Sequence, residues 1–224
     1  MRLPFKGRGG EEMAYEYVDK IEKDAKIEGK PIFEKPGDTI TYTERNKDIL
    51  NYLDESIQCI EDLKKKTDQI QRIMHILEKT RENGNKLFLM GNGGSASLAS
   101  HLICDFGKFR KLKAFALTDS IASITAYSND DCYESIFKEQ LKMLADKDDV
   151  VIGISGSGNS KNVIEAMEFA KKLGCYTIGL AGFDGGKLKD VSDECIVVDV
   201  NNMQHSEDMH TLLGHMMAFL MKEA

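Results

Sequence analysis

Two histidines and two carboxylates are spaced so that a folded chain can bring them to one place. His101 and Asp105 lie four residues apart in a predicted helix, so their side chains share one helix face. Glu207 and His215 lie eight residues apart in a predicted C-terminal helix, roughly 80° apart around its axis. Imidazole nitrogens and carboxylate oxygens bind divalent cations, with Zn²⁺ the first expectation for this ligand set. These four residues form the predicted metal and acid–base cluster.

The same residues also have a simpler interpretation. On its own, the His101–Asp105 pair is an ordinary helix-surface contact that stabilises by about 0.2–0.5 kcal/mol. His205 and His210 are predicted to be surface or core residues without chemistry. Methionines are expected to fill apolar gaps where the last helix packs, namely Met209, Met216, Met217 and Met221. The loop that precedes His101 is what favours chemistry over packing.

Two loops rich in Gly, Ser and Asn follow predicted buried strands. The first is GNGGS at 91–95 and the second is SGSGNS at 155–160. A helix is predicted to begin directly after each, so free backbone N–H groups there can bind an anion. The first loop has neither the lysine of a Walker loop nor the third glycine of a dinucleotide fingerprint. Hydroxyl-rich loops of this kind indicate a phosphate monoester that is held and not transferred.

Strands and helices alternate through most of the chain, which predicts an α/β fold with a five-stranded parallel sheet and helices on both faces. Ligands of such sheets bind outside the carboxyl ends of the strands, where both loops fall. The predicted strands are 86–90, 114–117, 149–154, 176–180 and 195–200. The predicted helices are 96–106, 120–127, 133–144, 161–173 and about 206–222, preceded by amphipathic stripes at 49–63 and 70–77.

Composition limits the binding partners and the cell compartment that are expected for the protein. The 224 residues suffice for one sizeable domain, and the formal net charge of −7 argues against nucleic acid and anionic membranes as partners. Five cysteines with no CxxC pair are typical of reduced cytosolic thiols. No apolar run has the length of a membrane span, and no secretory signal is recognisable. A cytoplasmic protein is therefore expected.

The motifs GNGGSASLASH and GISGSGNSKNVIEA resemble the two signatures of the SIS (sugar isomerase) domain. The order of motifs is similar to that of bacterial phosphoheptose isomerases, which convert sedoheptulose 7-phosphate to D-glycero-D-manno-heptose 7-phosphate. The similarity covers residues 43–224 and implies a three-layer SIS domain. Residues 1–42 are then an N-terminal extension, predicted as a helix and a linker. The family also implies a homotetramer.

The resemblance assigns roles by position. It implies that Asp105 is the catalytic base and His215 the acid in an enediolate mechanism. It implies Zn²⁺ ligands at His101, Asp105, Glu207 and His215. Phosphate and sugar contacts are implied at Asn92, Gly93, Gly94, Ser95, Asp119, Ser155, Gly156, Ser157, Ser160 and Glu207.

The chain departs from the family pattern at three positions. Asp105 stands where the family has Glu, and its carboxylate is one methylene shorter. Glu207 stands where the family has Gln, which adds a negative charge beside the expected metal. Gly156 replaces the usual Thr of the serine loop and removes one hydroxyl. These changes leave two alternatives open: a non-catalytic phosphosugar-binding protein, like the family member that associates with the replication initiator, or an isomerase of another phosphosugar.

Overall fold

The computed structural model describes residues 43–223, so the predicted N-terminal extension at 1–42 lies outside the described residues. Two helices come first, α1 (Thr43–Lys64) and α2 (Thr67–Glu82). The stripe of α2 is confirmed, since Ile70, Ile73 and Leu77 are buried. The chain then turns at Gly84, whose φ of +75° is favourable for glycine and strained for other residues.

Five parallel strands form one sheet in the order β2-β1-β3-β4-β5. They are β1 (Lys86–Gly91), β2 (Lys113–Ala116), β3 (Val150–Ser155), β4 (Tyr176–Gly182) and β5 (Glu194–Val198). Every residue of β3 is buried, which explains its unbroken apolar run. In β1, Leu87 and Leu89 enter one core, while Phe88 and Met90 enter the other. Side chains that alternate in this way give the sheet two buried faces.

Helices cover both faces, as predicted for an α/β/α domain. They are α3 (Gly94–Cys104), α4 (Ile121–Asp130), α5 (Ile136–Leu144), α6 (Lys161–Leu173), α7 (Gly186–Val191) and α8 (Met203–Leu220). One core contains apolar residues of α1, α2, α3 and α8. The other contains those of α5, α6 and α7. The predicted fold class is therefore confirmed.

Three local features differ from the predictions. A π-helical turn at Asp105–Phe109 extends α3 where a plain helix end was expected. The short helix α7, Gly186–Val191, lies between β4 and β5, where no helix is predicted. The last helix begins at Met203, earlier than predicted, because the Asn202 side chain accepts hydrogen bonds from the N–H groups of Gln204 and His205. Between residues 43 and 223, the helices are all too short or too polar to cross a bilayer.

Candidate functional site

The two glycine- and serine-rich loops meet at the carboxyl ends of neighbouring strands. β1 and β3 are adjacent, but the chain leaves them toward opposite edges of the sheet, so a crevice opens between their loops. Asn92 after β1 and Asn162 in the first turn of α6 exchange amide hydrogen bonds of 2.9 and 2.8 Å. The hydroxyl of Tyr133 also donates to Oδ1 of Asn92, at 2.9 Å. These bonds fix the two loops relative to each other.

Internal hydrogen bonds shape the serine loop, Ser155–Ser160. The hydroxyl of Ser155 donates to that of Ser160 at 3.0 Å, and the N–H of Asn159 donates to the hydroxyl of Ser157 at 3.2 Å. The loop leads directly into α6, whose first N–H groups have no partner within the helix. Three hydroxyls and a helix N-terminus therefore lie together, as an anion site requires.

Backbone contacts hold the serine loop from behind. The carbonyls of Gly156 and Gly158 accept hydrogen bonds of 2.8 Å from the N–H groups of Gly182 and Leu188. Gly158 has a φ of +65°, and a Cβ there would collide with the carbonyl oxygen of Gly185. Only glycine fits this position, because the obstacle is backbone that cannot rotate away.

Gly156 of the serine loop lies against a side chain of the last helix. A Cβ at Gly156 would overlap the sulfur of Met203. Met203 thus occupies space that a side chain at Gly156 would need.

The first loop brings a carboxylate to the start of α3. Gly93 has a φ of +55°, and Ser95 is buried in the first helical turn. A Cβ at Gly94 would lie 2.7 Å from Oε2 of Glu207. The absence of a side chain at Gly94 therefore lets Glu207 approach the positive end of the α3 dipole.

Asp119, predicted to lie near the sugar, follows β2 and is fastened to α3. The hydroxyl of Ser100 donates to Oδ1 of Asp119 and lies 3.1 Å from that of Thr118. Since Ser100 immediately precedes His101, Asp119 lies at the middle of α3, between the first loop and the predicted metal cluster. It is exposed and free to meet a ligand.

Three members of the predicted metal cluster come together. Nε2 of His101 lies 2.8 Å from Nε2 of His215. Oδ2 of Asp105 lies 3.5 Å from the first nitrogen and 3.8 Å from the second. Two helices that are distant in sequence, α3 and α8, supply these atoms. Glu207 lies outside this group, whose ligand atoms are all within 4.8 Å of one another.

The three ligand atoms suit a small divalent cation. A tetrahedral ion with bonds of about 2.0–2.1 Å keeps its ligand atoms about 3.3 Å apart. The observed separations of 2.8, 3.5 and 3.8 Å bracket that value. Both imidazoles direct a nitrogen inward, and the carboxylate is half-buried between them. The donor set therefore fits Zn²⁺ in both chemistry and spacing.

A cavity of about 590 Å³ opens beside the cluster. It is large enough for a small organic ligand, and its walls combine two exposed phenylalanine rings with charged groups. The lining residues are His101, Asp105, Phe109, Arg110, His215, Ala218, Phe219 and Glu223. Neither of the two glycine- and serine-rich loops belongs to this lining, and the first of them lies at the opposite end of α3.

The two other histidines of α8 are buried, as the simpler interpretation expects. His205 is held by Ser56 at Nδ1, 3.2 Å, and by Glu55 at Nε2, 3.1 Å. Neither ring nitrogen of His210 has a hydrogen-bond partner within the described residues. Burial lowers the pKa of His210, so its imidazole is neutral at physiological pH.

Sequence reasoning missed three residues that shape the site. Tyr133 and Asn162 hold Asn92, and Arg110 lines the cavity. The sequence does point to Asn162, because it lies two residues beyond the serine loop in the motif GISGSGNSKNVIEA. It gives no indication of Tyr133 or Arg110, since their partners are far away in sequence.

The chain is similar to proteins of one family. The SIS-domain family model matches residues 51–182, which include both loops, His101 and Asp105. The probable phosphoheptose isomerase of Thermoplasma acidophilum is 42% identical over 184 residues, covering 79% of this chain and 98% of the relative. The phosphoheptose isomerase of Nitratiruptor sp. is 45% identical over 148 residues, or 64% of this chain and 79% of the relative.

A solved structure agrees with these similarities. The phosphoheptose isomerase of Neisseria gonorrhoeae matches with a TM-score of 0.75 and 30% sequence identity. The match covers 79% of this chain and 97% of that one.

Proposed function

The chain belongs to the SIS-domain phosphosugar isomerases, and we propose that it interconverts sedoheptulose 7-phosphate and D-glycero-D-manno-heptose 7-phosphate. The observation that carries the proposal is the arrangement of one helix. α3 begins at a phosphate-type loop and ends at the His101–Asp105–His215 group. The relatives named phosphoheptose isomerase support the choice of sugar.

The distance along α3 favours a long substrate. Ser95 and His101 are six residues apart, which is about 9 Å along the helix axis. A phosphate held by Ser95, Ser155, Ser157 and Ser160 therefore reaches the cluster only if several carbons separate it from the reacting end. A seven-carbon sugar phosphorylated on its last carbon meets this condition, whereas a triose phosphate does not.

A divalent ion, Zn²⁺ first, is part of the proposal. His101, Asp105 and His215 would hold it, since their ligand atoms have the spacing that such an ion needs. When bound, the ion would polarise the carbonyl and the neighbouring hydroxyl of the sugar.

The protein side chains then move the protons. Asp105, as base, takes a proton from C1 of the ketose, and the electron pair that is left shifts to form the C1–C2 double bond of an enediolate. His215, as acid, delivers a proton to C2, and the O1 proton passes to O2, which leaves an aldehyde at C1 and a hydroxyl at C2. Asp105 and His215 lie side by side, since Oδ2 and Nε2 are 3.8 Å apart. Because these two atoms would hold the ion, the proton transfers fall to Oδ1 of Asp105 and the Nδ1–H of His215.

Two roles are proposed for Glu207, a sugar contact and a zinc ligand, and each requires its carboxylate in a different place. Beside Gly94 it faces the sugar between the phosphate loop and the cluster. As a metal ligand it would have to join the other three, which lie further along α3. Zinc affinity of Glu207→Ala decides between them, because loss of a metal ligand lowers the affinity strongly, whereas loss of a sugar contact leaves it unchanged.

We also propose that the protein is a cytoplasmic homotetramer. Along α1, the apolar side chains of Ile49, Leu50, Leu53 and Ile57 are 51–60% exposed. A contiguous apolar face of this kind is typical of a protein–protein interface. Mass by light scattering tests this, and Leu53→Glu should yield a smaller species.

The substrate is tested with a panel of phosphosugars followed by NMR. Sedoheptulose 7-phosphate should be isomerised faster than pentose 5-phosphates and hexose 6-phosphates. Isomerisation of another member alone would replace the proposed substrate. Binding that raises the melting temperature without any turnover would instead favour the phosphosugar-binding alternative.

A further inference from the structure

Arg110 connects the two elements that carry the reactive cluster. It directly follows the π-helical turn that begins with Asp105. Its Nε donates to the carbonyl of Ala218 and its Nη2 donates to that of Phe219. Both carbonyls belong to the last turn of α8, the helix that carries His215.

The carbonyls that Arg110 binds need an outside partner. The last carbonyl groups of a helix accept no hydrogen bond from the helix itself, and they form the negative end of the helix dipole. A guanidinium offers two parallel donors and a permanent positive charge, so it suits this position better than any other side chain. Arg110 thus caps α8 from the element that holds Asp105.

The wide turn between Asp105 and Arg110 makes this contact possible. The π-helical segment spans Asp105–Phe109, so Asp105 stands at its start and Arg110 directly beyond its end. Such turns often mark functional sites in helices. Here the turn lets one element present the Asp105 carboxylate to His215 and the Arg110 guanidinium to Ala218 and Phe219, which follow His215 in α8.

We propose that Arg110 is a positioning residue that sets the separation of His101 and Asp105, which share its own element, from His215 on α8. The expected effect of Arg110 on turnover rests on the proposed function. The expected effect of Arg110 on zinc affinity depends only on the positions of the three ligand atoms. Although Arg110 lines the cavity, two of its donors are engaged by backbone, which argues for support over substrate contact.

The test compares Arg110→Gln and Arg110→Lys with Glu78→Ala. Glu78 of α2 is the matched control, because its Oε1 accepts from the N–H of Lys222 at 2.8 Å and so fastens the same tail beyond α8. Zinc affinity is measured by competition with a chromophoric chelator, alongside kcat, KM and melting temperature.

Loss of a supporting contact typically weakens metal affinity or activity 10- to 100-fold, so Arg110→Gln should lose about tenfold in zinc affinity and in kcat. KM should stay near that of the wild type, because the phosphate is held elsewhere. Arg110→Lys retains the charge and one donor and should recover part of both losses. Glu78→Ala should lower the melting temperature without changing zinc affinity or kcat.

Two results would overturn the inference. A raised KM with unchanged kcat and zinc affinity would make Arg110 a substrate contact. Equal losses in Glu78→Ala would make the effect one of general stability. If Arg110→Gln does not fold, Arg110→Lys must show the same pattern at smaller size. A wild-type protein that binds zinc but leaves sedoheptulose 7-phosphate unchanged counts against the proposed function alone.

Discussion

Nε2 of His101 and Nε2 of His215 lie 2.8 Å apart, although the two residues are 114 positions apart in the chain. Their rings meet edge to face, with an interplanar angle of 75°. Asp105 is the third group at this contact. The packing of α3 against α8 therefore brings three potential metal ligands together. This cluster lies near the C-terminal end of α3, whereas the first glycine-rich loop lies at its N-terminal end.

Removing the charge of Asp105 tests its role as base. Asp105→Asn keeps the shape of the side chain but cannot accept a proton from carbon. We expect kcat to fall roughly 100- to 10,000-fold, the usual range for a lost general base. Asp190→Asn, an exposed change on α7, is the matched control and should be fully active. Comparable turnover in the two variants would remove Asp105 from the mechanism.

The serine loop should not tolerate a side chain at Gly158. Gly158→Ala forces an L-residue to a φ of +65° and drives its Cβ against the carbonyl of Gly185. The left-handed conformation alone costs about 1–2 kcal/mol. We expect a lower unfolding free energy and a KM raised about tenfold for the phosphosugar, measured by urea unfolding and steady-state kinetics. An unchanged KM would show that the loop does not hold the phosphate.

Gly156 and Met203 should behave as a coupled pair. Gly156→Thr introduces a side chain where the thioether of Met203 lies, and overpacking of this kind typically costs about 1–3 kcal/mol. Because Met203 is flexible and partly exposed, the lower end of that range is expected. Met203→Ala should restore most of the loss in the double variant. Simple additivity in the thermodynamic cycle would mean that the two residues do not compete for space.

His210 should make the protein less stable in mild acid. Burial lowers the pKa of its imidazole in the folded state below the value of about 6.5 expected when unfolded. The unfolded chain therefore takes up the proton first, and stability that is present above pH 6.5 is lost as the pH falls. The loss approaches about 1.4 kcal/mol per pH unit until the folded pKa is reached.

Urea unfolding at pH 7.5 and 5.5 measures this effect. His210→Leu should lose less stability than the wild type over that interval. His75→Gln changes an exposed histidine on α2 and should follow the wild type. Identical pH dependence in His210→Leu and the wild type would show that another group titrates.

Much of the fold could be predicted, because each of the five strands is a short apolar run bounded by polar or glycine residues. The two loops and the helices after them were also predictable from local chemistry. The meeting of His101 with His215 could only be hypothesised, since helical spacing gives the face of each residue but not how α3 and α8 pack.

The features that were missed depend on tertiary contacts. Nothing in the 3.6-residue pattern after Asp105 indicates a π-helical turn, and the Arg110 contacts that follow it are to residues more than a hundred positions away. Helical spacing and the family resemblance together predict Glu207 as a metal ligand, and this stays a prediction. The absence of a side chain at Gly94 gives it a different neighbour, which spacing cannot reveal.

The proposed isomerisation is tested by NMR on zinc-loaded protein with sedoheptulose 7-phosphate, comparing the wild type with His215→Ala and with the exposed control His75→Gln. We expect conversion to the aldose phosphate by the wild type and the control, and none by His215→Ala, with all three folded to the same extent. Equal conversion by His215→Ala and the wild type would remove His215 from the reaction, and a zinc-loaded wild type that leaves the sugar unchanged would rule out the proposed substrate.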